Sequence, residues 1–287
     1  MCEVDGMAVV DSFLRAKGLV KPNEVWVHGM WTPNKWWRCL KAKLCGRQLV
    51  RMTHGSLSPI YLERQGAWKK RLVKPVEQLL FGLSDRIVVT GPWEAAWNRA
   101  WGLKGPFETI DIKQFFDLNR PIEWPVQTKY RAMHVLYLGR RHPLKGLAYL
   151  EQAVRALNER LSLLGKSESR GIELRVVSNA VGAEKEAVWN WCDVLCLPTL
   201  SDNFGLVVAE ALERGKPVVT TDGAPAWKNE PRTDAHGRTR LVYLEGYRDG
   251  ADAQRVELLK RALGLFLEDA ARGAGGTVRR EAKGAER

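Results

Sequence analysis

Three groups of residues have the types and spacing that chemistry needs. The first is the loop Gly139–Gly146, GRRHPLKG, which follows the apolar run HVLYL and leads into a helical pattern. Arg140 and Lys145 flank a tight turn at a helix start, so side-chain charge and peptide dipoles both favour an anion there. Taken alone, such a loop is equally well a solvated basic turn. The second group follows the apolar run VLCLP: Asp202 precedes the turn Asn203-Phe204-Gly205, and Glu210 comes after seven intervening residues. Gly205 lets a ligand approach the backbone, and the first-turn N–H groups of the following helix are open donors. Carboxylates in that position suit hydroxyl groups rather than phosphate, since hydroxyls donate to charged acceptors. Periodicity alone puts Glu210 with Glu213 and Arg214 on a solvent arc, opposite Val207, Val208, Ala211 and Leu212. The third group is a pair of strand ends, His28-Gly29 and His54-Gly55. A histidine there can act as acid or base, or orient a hydroxyl or phosphate; a structural hydrogen bond is the commoner use.

The elements that must position these residues alternate between short strands and helices. Glu24–Val27, Leu49–Thr53 and Arg86–Thr90 read as strands. Lys35–Cys45 reads as a basic amphipathic helix behind Pro33, Lys74–Leu83 as a helix, and Pro92 opens a Trp-rich helix. Residues 119–131, NRPIEWPVQTKYR, carry two prolines and little periodicity, which marks a linker. Beyond it the alternation restarts, with strands at His134–Leu138, Ile172–Val177, Val194–Leu197 and Pro217–Thr220. Helices are expected at Leu147–Leu163, Gly205–Arg214 and Asp252–Leu267. This order predicts an α/β fold with parallel sheets. The expected division is 1–123, 124–271 and a tail, 272–287, with almost nothing to bury and therefore disordered.

Composition narrows the partners. A chain of 287 residues with 45% hydrophobic and 27% charged residues can bury a proper core. Its net charge of +12 favours phosphate-bearing partners: nucleotides, anionic lipid or nucleic acid. No nucleic-acid motif accompanies the charge, so nucleic acid is not expected. The five cysteines are scattered without zinc-like spacing, which fits reduced thiols in a cytoplasmic protein. The N-terminus lacks the order of a signal peptide, and no apolar run is long enough to span a membrane.

In combination, YLGRRHPLKGL and CLPTLSDNFGLVVAEALERGKPVVTTDGAP resemble the retaining glycosyltransferases of family 4, which have the two-Rossmann GT-B architecture. The first half is similar more loosely, through VWVHGMW, THGSLSP and SDRIVVTGPWEAAW. The resemblance implies a nucleotide diphosphate sugar bound on the C-terminal domain and an acceptor on an abbreviated N-terminal domain, with no metal and no other cofactor. It implies that Arg140 and Lys145 neutralise the diphosphate leaving group, and that Glu210, the second acid of the family's Glu-x7-Glu motif, holds the ribose hydroxyls. Asp202 takes the first acid's place facing the donor sugar, one methylene shorter than the usual Glu. The backbone of Asn203, Phe204 and Gly205 would meet the donor. His54 matches the family's histidine beside the reacting centre, and His28 an earlier strand-end position on the acceptor side. The expected activity is transfer of a hexose-like unit, with retention, to a polysaccharide, lipopolysaccharide or lipid-linked acceptor. Relatives carry a fuller N-terminal region, and several dozen more residues where only residues 178–192 stand here. The same resemblance therefore also admits a catalytically silent donor-binding relative, or a subunit that needs a partner.

The helix Lys35–Cys45 mixes Trp36 and Trp37 with Arg38, Lys41 and Lys43, and cations follow at Arg64, Lys69, Lys70, Arg71 and Lys74. Such a surface suits docking to anionic lipid, at about 1 kcal/mol per cation near the membrane. A peripheral position on the inner face of the membrane is the expected location.

Overall fold

The computed structural model describes residues 14–64, 67–123, 132–163 and 171–284, with side chains to Glu268 in the last segment and without those of Arg64 and Ala67. The chain divides into two compact units, Met1–Phe115 and Phe116–Arg287.

In the first unit, β1 (Glu24–His28), β2 (Gln48–Met52), β3 (Arg86–Val89) and β4 (Phe107–Thr109) form a parallel sheet in that order. Val25 pairs with Leu49, and Arg51 with Ile87. The helices are α1 (Pro33–Leu44), α2 (Pro59–Arg64), α3 (Ala67–Gly82) and α4 (Pro92–Trp101). Val27 and Leu49 pack with Cys39 and Ala42 of α1 and Leu80 of α3. Ile87 packs with Leu57, Phe81 and Leu103. Trp26, Val50, Met52 and Val88, which alternate with these, are buried too, so the strands read as near-continuous apolar runs.

A charged pair lies inside this core. Arg51 of β2 and Glu77 of α3 meet at 3.0 Å, and neither side chain is exposed. Glu77 also accepts from the Trp31 backbone N–H at 2.6 Å and the Trp36 indole at 2.9 Å. The Arg51 guanidinium lies 4.0 Å from the centre of the Phe81 ring. Helix α3 starts earlier than the expected Lys74–Leu83, with Pro75 in its interior. Proline removes one intrahelical bond, and packing around Glu77, Leu80 and Phe81 carries the helix through.

The second unit is a five-stranded parallel sheet of order β6-β5-β7-β8-β9. Its strands are β5 (Met133–Leu138), β6 (Ile172–Val177), β7 (Val194–Leu197), β8 (Val218–Thr221) and β9 (Leu241–Leu244). Its helices are α5 (Leu147–Leu163), α6 (Gly182–Trp191), α7 (Leu206–Glu213) and α8 (Asp252–Gly284). The chain leaves β5 for the edge strand β6 and returns past β5 to β7. Connections therefore diverge between the neighbours β5 and β7, and a crevice opens at such a point beyond the strands' carboxyl ends.

The start of the expected linker is fastened to this unit. The Glu123 N–H donates to the Gly215 carbonyl at 2.8 Å, and just ahead of the linker the Leu118 carbonyl accepts from the Arg240 guanidinium. The rest of that linker, residues 124–131, lies outside the described residues. Helix α8 runs to Gly284, well past the expected Leu267 and through most of the stretch expected to be disordered; residues 285–287 lie outside the described residues. A helix satisfies its backbone hydrogen bonds internally, and the alanine, arginine and glutamate in this stretch are good helix formers. Among the described residues, no helix is long and apolar enough to cross a membrane. The described cysteines are free; Cys39, Cys192 and Cys196 are buried and Cys45 is exposed.

Candidate donor-binding site

The loop after β5 is built by backbone capture. Tyr137 donates its hydroxyl to the Arg140 carbonyl at 2.8 Å, and Ser178 donates to the Gly139 carbonyl at 2.9 Å. His142 Nδ1 accepts from the Leu144 N–H at 3.2 Å, at the head of a single turn, Pro143–Lys145. Gly146 closes that turn at φ +67°, and a Cβ there would overlap the Pro198 carbonyl. Only glycine combines that dihedral with that close approach.

The loop after β7 is stitched to it. The Leu144 carbonyl accepts from Thr199 Oγ1 at 3.1 Å and from the Leu200 N–H at 2.7 Å. Two residues further on, Asp202 Oδ2 meets Lys145 Nζ at 2.5 Å. Asp202 Oδ1 accepts from the Gly205 N–H at 3.2 Å, and its own N–H donates to the Gly223 carbonyl at 2.7 Å. Gly205, at φ +72°, caps α7. The Phe204 side chain is buried beside Trp227, whose indole donates to the Phe204 carbonyl at 2.6 Å. Phe204 therefore anchors the turn while the backbone stays with the loop.

Lys145, Asp202 and the Asn203–Gly205 turn are thus brought together beyond the carboxyl ends of β5 and β7. Arg140 is exposed on the same loop as Lys145. Glu210, which periodicity alone assigned to a solvent face, is half-buried and meets Lys185 of α6 at 2.7 Å. Lys185 escaped the sequence reading because nothing in α6 signals a partner on α7. A cation four residues into a helix start, shortly after a strand, was the one available cue.

The two histidines belong to the first unit. His28 Nδ1 and His54 Nε2 lie 2.8 Å apart, and the rings stack with centres 5.0 Å apart. His54 holds the left-handed conformation at φ +52°, as do Trp31 beyond β1 and Asn179 beyond β6. Such dihedrals are costly for residues other than glycine, and they concentrate at functional sites. Glu94, buried at the start of α4, braces the loop by accepting from Thr53 Oγ1 and the Gly55 N–H, each at 2.7 Å. It also accepts from the Thr90 N–H at 2.9 Å. The sequence reading missed this acid too, although it lies in a helix first turn.

Burial first, then the neighbouring His28 and Lys35, push the His54 pKa from 6.5 down to about 3. The folded state therefore refuses a proton that the unfolded chain accepts. The stability due to neutral His54 is complete above pH 6.5 and is lost as pH falls towards 3. His54→Gln is expected to lose less stability than the parent between pH 7 and pH 5, read from urea midpoints. Equal losses in the two proteins would refute the assignment.

Two parallel sheets, with two loops stitched together at the switch point of the second, define a GT-B-like α/β protein. Residues 132–253 match the family model described as Glycosyl transferases group 1. Over 145 residues the chain is 34% identical to D-inositol 3-phosphate glycosyltransferase of Pseudarthrobacter chlorophenolicus. That alignment covers 42% of this chain and 33% of the relative, so the match spans about a third of the relative's length. Among solved structures, the chain is similar to sucrose-phosphate synthase from Thermosynechococcus elongatus, with TM-score 0.56 and 15% identity over 96% of this chain and 77% of that one. It is similar also to a UDP-forming α,α-trehalose-phosphate synthase from Burkholderia xenovorans, with TM-score 0.52 and 15% identity over 94% and 73%. These two likenesses concern the fold.

Proposed function

We propose that the chain is a retaining glycosyltransferase that moves a hexose-like unit from a nucleotide diphosphate sugar to a polysaccharide, lipopolysaccharide or lipid-linked acceptor. The observation that carries this reading is the meeting of Lys145 and Asp202 at the β5–β7 switch point, inside the stretch that matches the glycosyl transferase model. Departure of the diphosphate develops negative charge. Lys145, Arg140 and the N-terminal N–H groups of α7 are assigned to stabilise it. On donor binding, Lys145 exchanges Asp202 for phosphate, freeing that carboxylate for a sugar hydroxyl. Glu210, held by Lys185, takes the ribose hydroxyls. His54 is assigned to the reacting centre and His28 to the acceptor side. The proposal includes no metal ion or other cofactor, and it places the protein in the cytoplasm, peripheral to a membrane.

A donor panel in a transfer assay tests the reaction; no transfer or donor hydrolysis with any donor would refute it. The site is tested separately by thermal shift with UDP, GDP and ADP. A nucleotide at a hundred times its Kd stabilises by about 2.7 kcal/mol, roughly 5–10 °C for a protein of this size. Glu210→Ala is expected to lose that shift, and a shift unchanged in the variant would move the site elsewhere. A silent donor-binding subunit is the second reading. It is favoured by the lysine that each acid already holds, Lys145 on Asp202 and Lys185 on Glu210. Donor binding by calorimetry without turnover would select it.

A further inference from the structure

The outward surface shared by α1 and α3 is strongly apolar. Helix α1 buries Cys39 and Ala42, which leaves Trp37, Leu40 and Leu44 outside, Trp37 at 60% and Leu44 at 81% exposure. Helix α3 buries Glu77, Leu80 and Phe81. Its opposite side shows Trp68, Leu72, Val76 and Leu79, and Leu83 extends the row just past the helix end; Leu72 is 69% exposed. These positions recur at three- and four-residue steps, so each set is a continuous stripe. The stripes adjoin. Leu80 packs on Cys39 and Ala42, and on the helix it borders Val76 and Leu79, so the α3 stripe begins where the contact with α1 ends. On α1, Trp36 points its indole at Glu77 of α3, and Trp37 and Leu40 flank that edge. Monomeric soluble proteins rarely leave such a patch uncovered.

The charge around the patch has one sign. Helix α1 supplies Lys35, Arg38, Lys41 and Lys43, and α3 supplies Lys69, Lys70, Arg71 and Lys74. The acid of these two helices, Glu77, is buried against Arg51. Lys43 is engaged with Asp85, Lys70 lies over Tyr61, and Lys74 over Trp101. Arg38, Lys41, Lys69 and Arg71 are exposed on the rim.

We propose that the α1–α3 surface is a lipid-docking face, which inserts its apolar ridge into an anionic membrane while the rim cations meet the head groups. Charge complementarity selects this occupant. A second copy docking through the same face would set cations against cations, whereas an anionic lipid surface neutralises them as the ridge enters the headgroup boundary. The sequence pointed to the cations and to the tryptophans of α1; the structure adds the α3 ridge and joins the two. The face deepens the peripheral location proposed above and rests on that reading; it is built from residues of the first unit, none of them assigned to the donor.

The test is co-sedimentation of the full chain with phosphatidylcholine vesicles and with equimolar phosphatidylcholine–phosphatidylglycerol vesicles. Binding is expected to favour the anionic vesicles by roughly tenfold or more. Leu72→Ser/Leu79→Ser and Arg38→Glu/Lys41→Glu/Arg71→Glu are expected each to weaken it by roughly tenfold or more. These side chains are exposed, so melting temperatures and nucleotide thermal shifts should match the parent. Equal binding to both vesicle types would overturn the proposal, as would binding that the serine pair leaves intact. A dimer that the serine pair dissociates, without vesicle binding, would assign the ridge to a second copy and overturn it too. The nucleotide shift is read in the same samples, so a failed docking face and a failed donor site give different results.

Discussion

Replacing Lys145 with alanine is expected to lower kcat for sugar transfer by roughly 10²–10³-fold, the usual effect of removing one preorganised group that meets developing charge. The position of its ammonium motivates the figure. It lies beyond the carboxyl ends of β5 and β7, 2.5 Å from Asp202, on a turn fixed by Gly146 and the Leu144 carbonyl. The alanine variant also leaves Asp202 as an uncompensated carboxylate where the diphosphate should sit, so donor KM is expected to rise as well. Lys145→Ala/Asp202→Asn separates the two effects. Donor binding should recover in part, because the repulsion has gone, while kcat stays low, because the cation has gone too. Steady-state kinetics with the active donor reads both constants. A Lys145→Ala enzyme with unchanged kcat would remove the leaving-group role altogether.

Glu77→Ala is expected to destabilise the first unit by about 3–5 kcal/mol, the range found when one partner of a buried ion pair is deleted. Arg51 would keep its charge in the core beside Cys39, the Gly29 carbonyl and the Phe81 ring, none of which offsets a full positive charge. The Trp31 N–H and the Trp36 indole would lose their acceptor in the same step. Urea denaturation followed by circular dichroism measures the loss. Replacing the pair together, as Arg51→Met/Glu77→Leu, should recover much of it, since well-packed apolar residues often match a buried pair in stability. A Glu77→Ala protein as stable as the parent would show that this acid carries no structural burden.

Much of this architecture can be read from the chain, for a reason visible in particular residues. Parallel strands are buried on both faces, so VLYL, VLCL and VVT announce themselves as apolar runs without any partner in view. The motifs GRRHPLKG and SDNFG follow such runs directly, and so their place at strand ends is local information. Strands β4 and β9 were not legible. Phe107–Thr109 is three residues with two of them exposed, and both strands are sheet edges defined mainly by the neighbour they bond to. Glu77 and Glu94 look like ordinary solvent charges in helical segments. Their burial depends on Arg51 in one case and Thr53, Gly55 and Thr90 in the other, all distant along the chain except Thr90. Lys185 is unreadable for the same reason, since its partner lies across a helix pair. Local pattern gives elements and motifs, and the partners of buried charges are a property of the tertiary arrangement.

The carbonyl of Leu144 is shared by three donors from the neighbouring loop, the Thr199 hydroxyl and the N–H groups of Leu200 and Ser201. It works as a rivet, and it makes two sequence-distant loops one mechanical body. A group that draws the backbone of the 143–145 turn outward must either carry the 199–201 backbone with it or shear that rivet. The cationic and acidic halves of the site therefore gain and lose order in step, and tightness at one end cannot be tuned while the other is left slack.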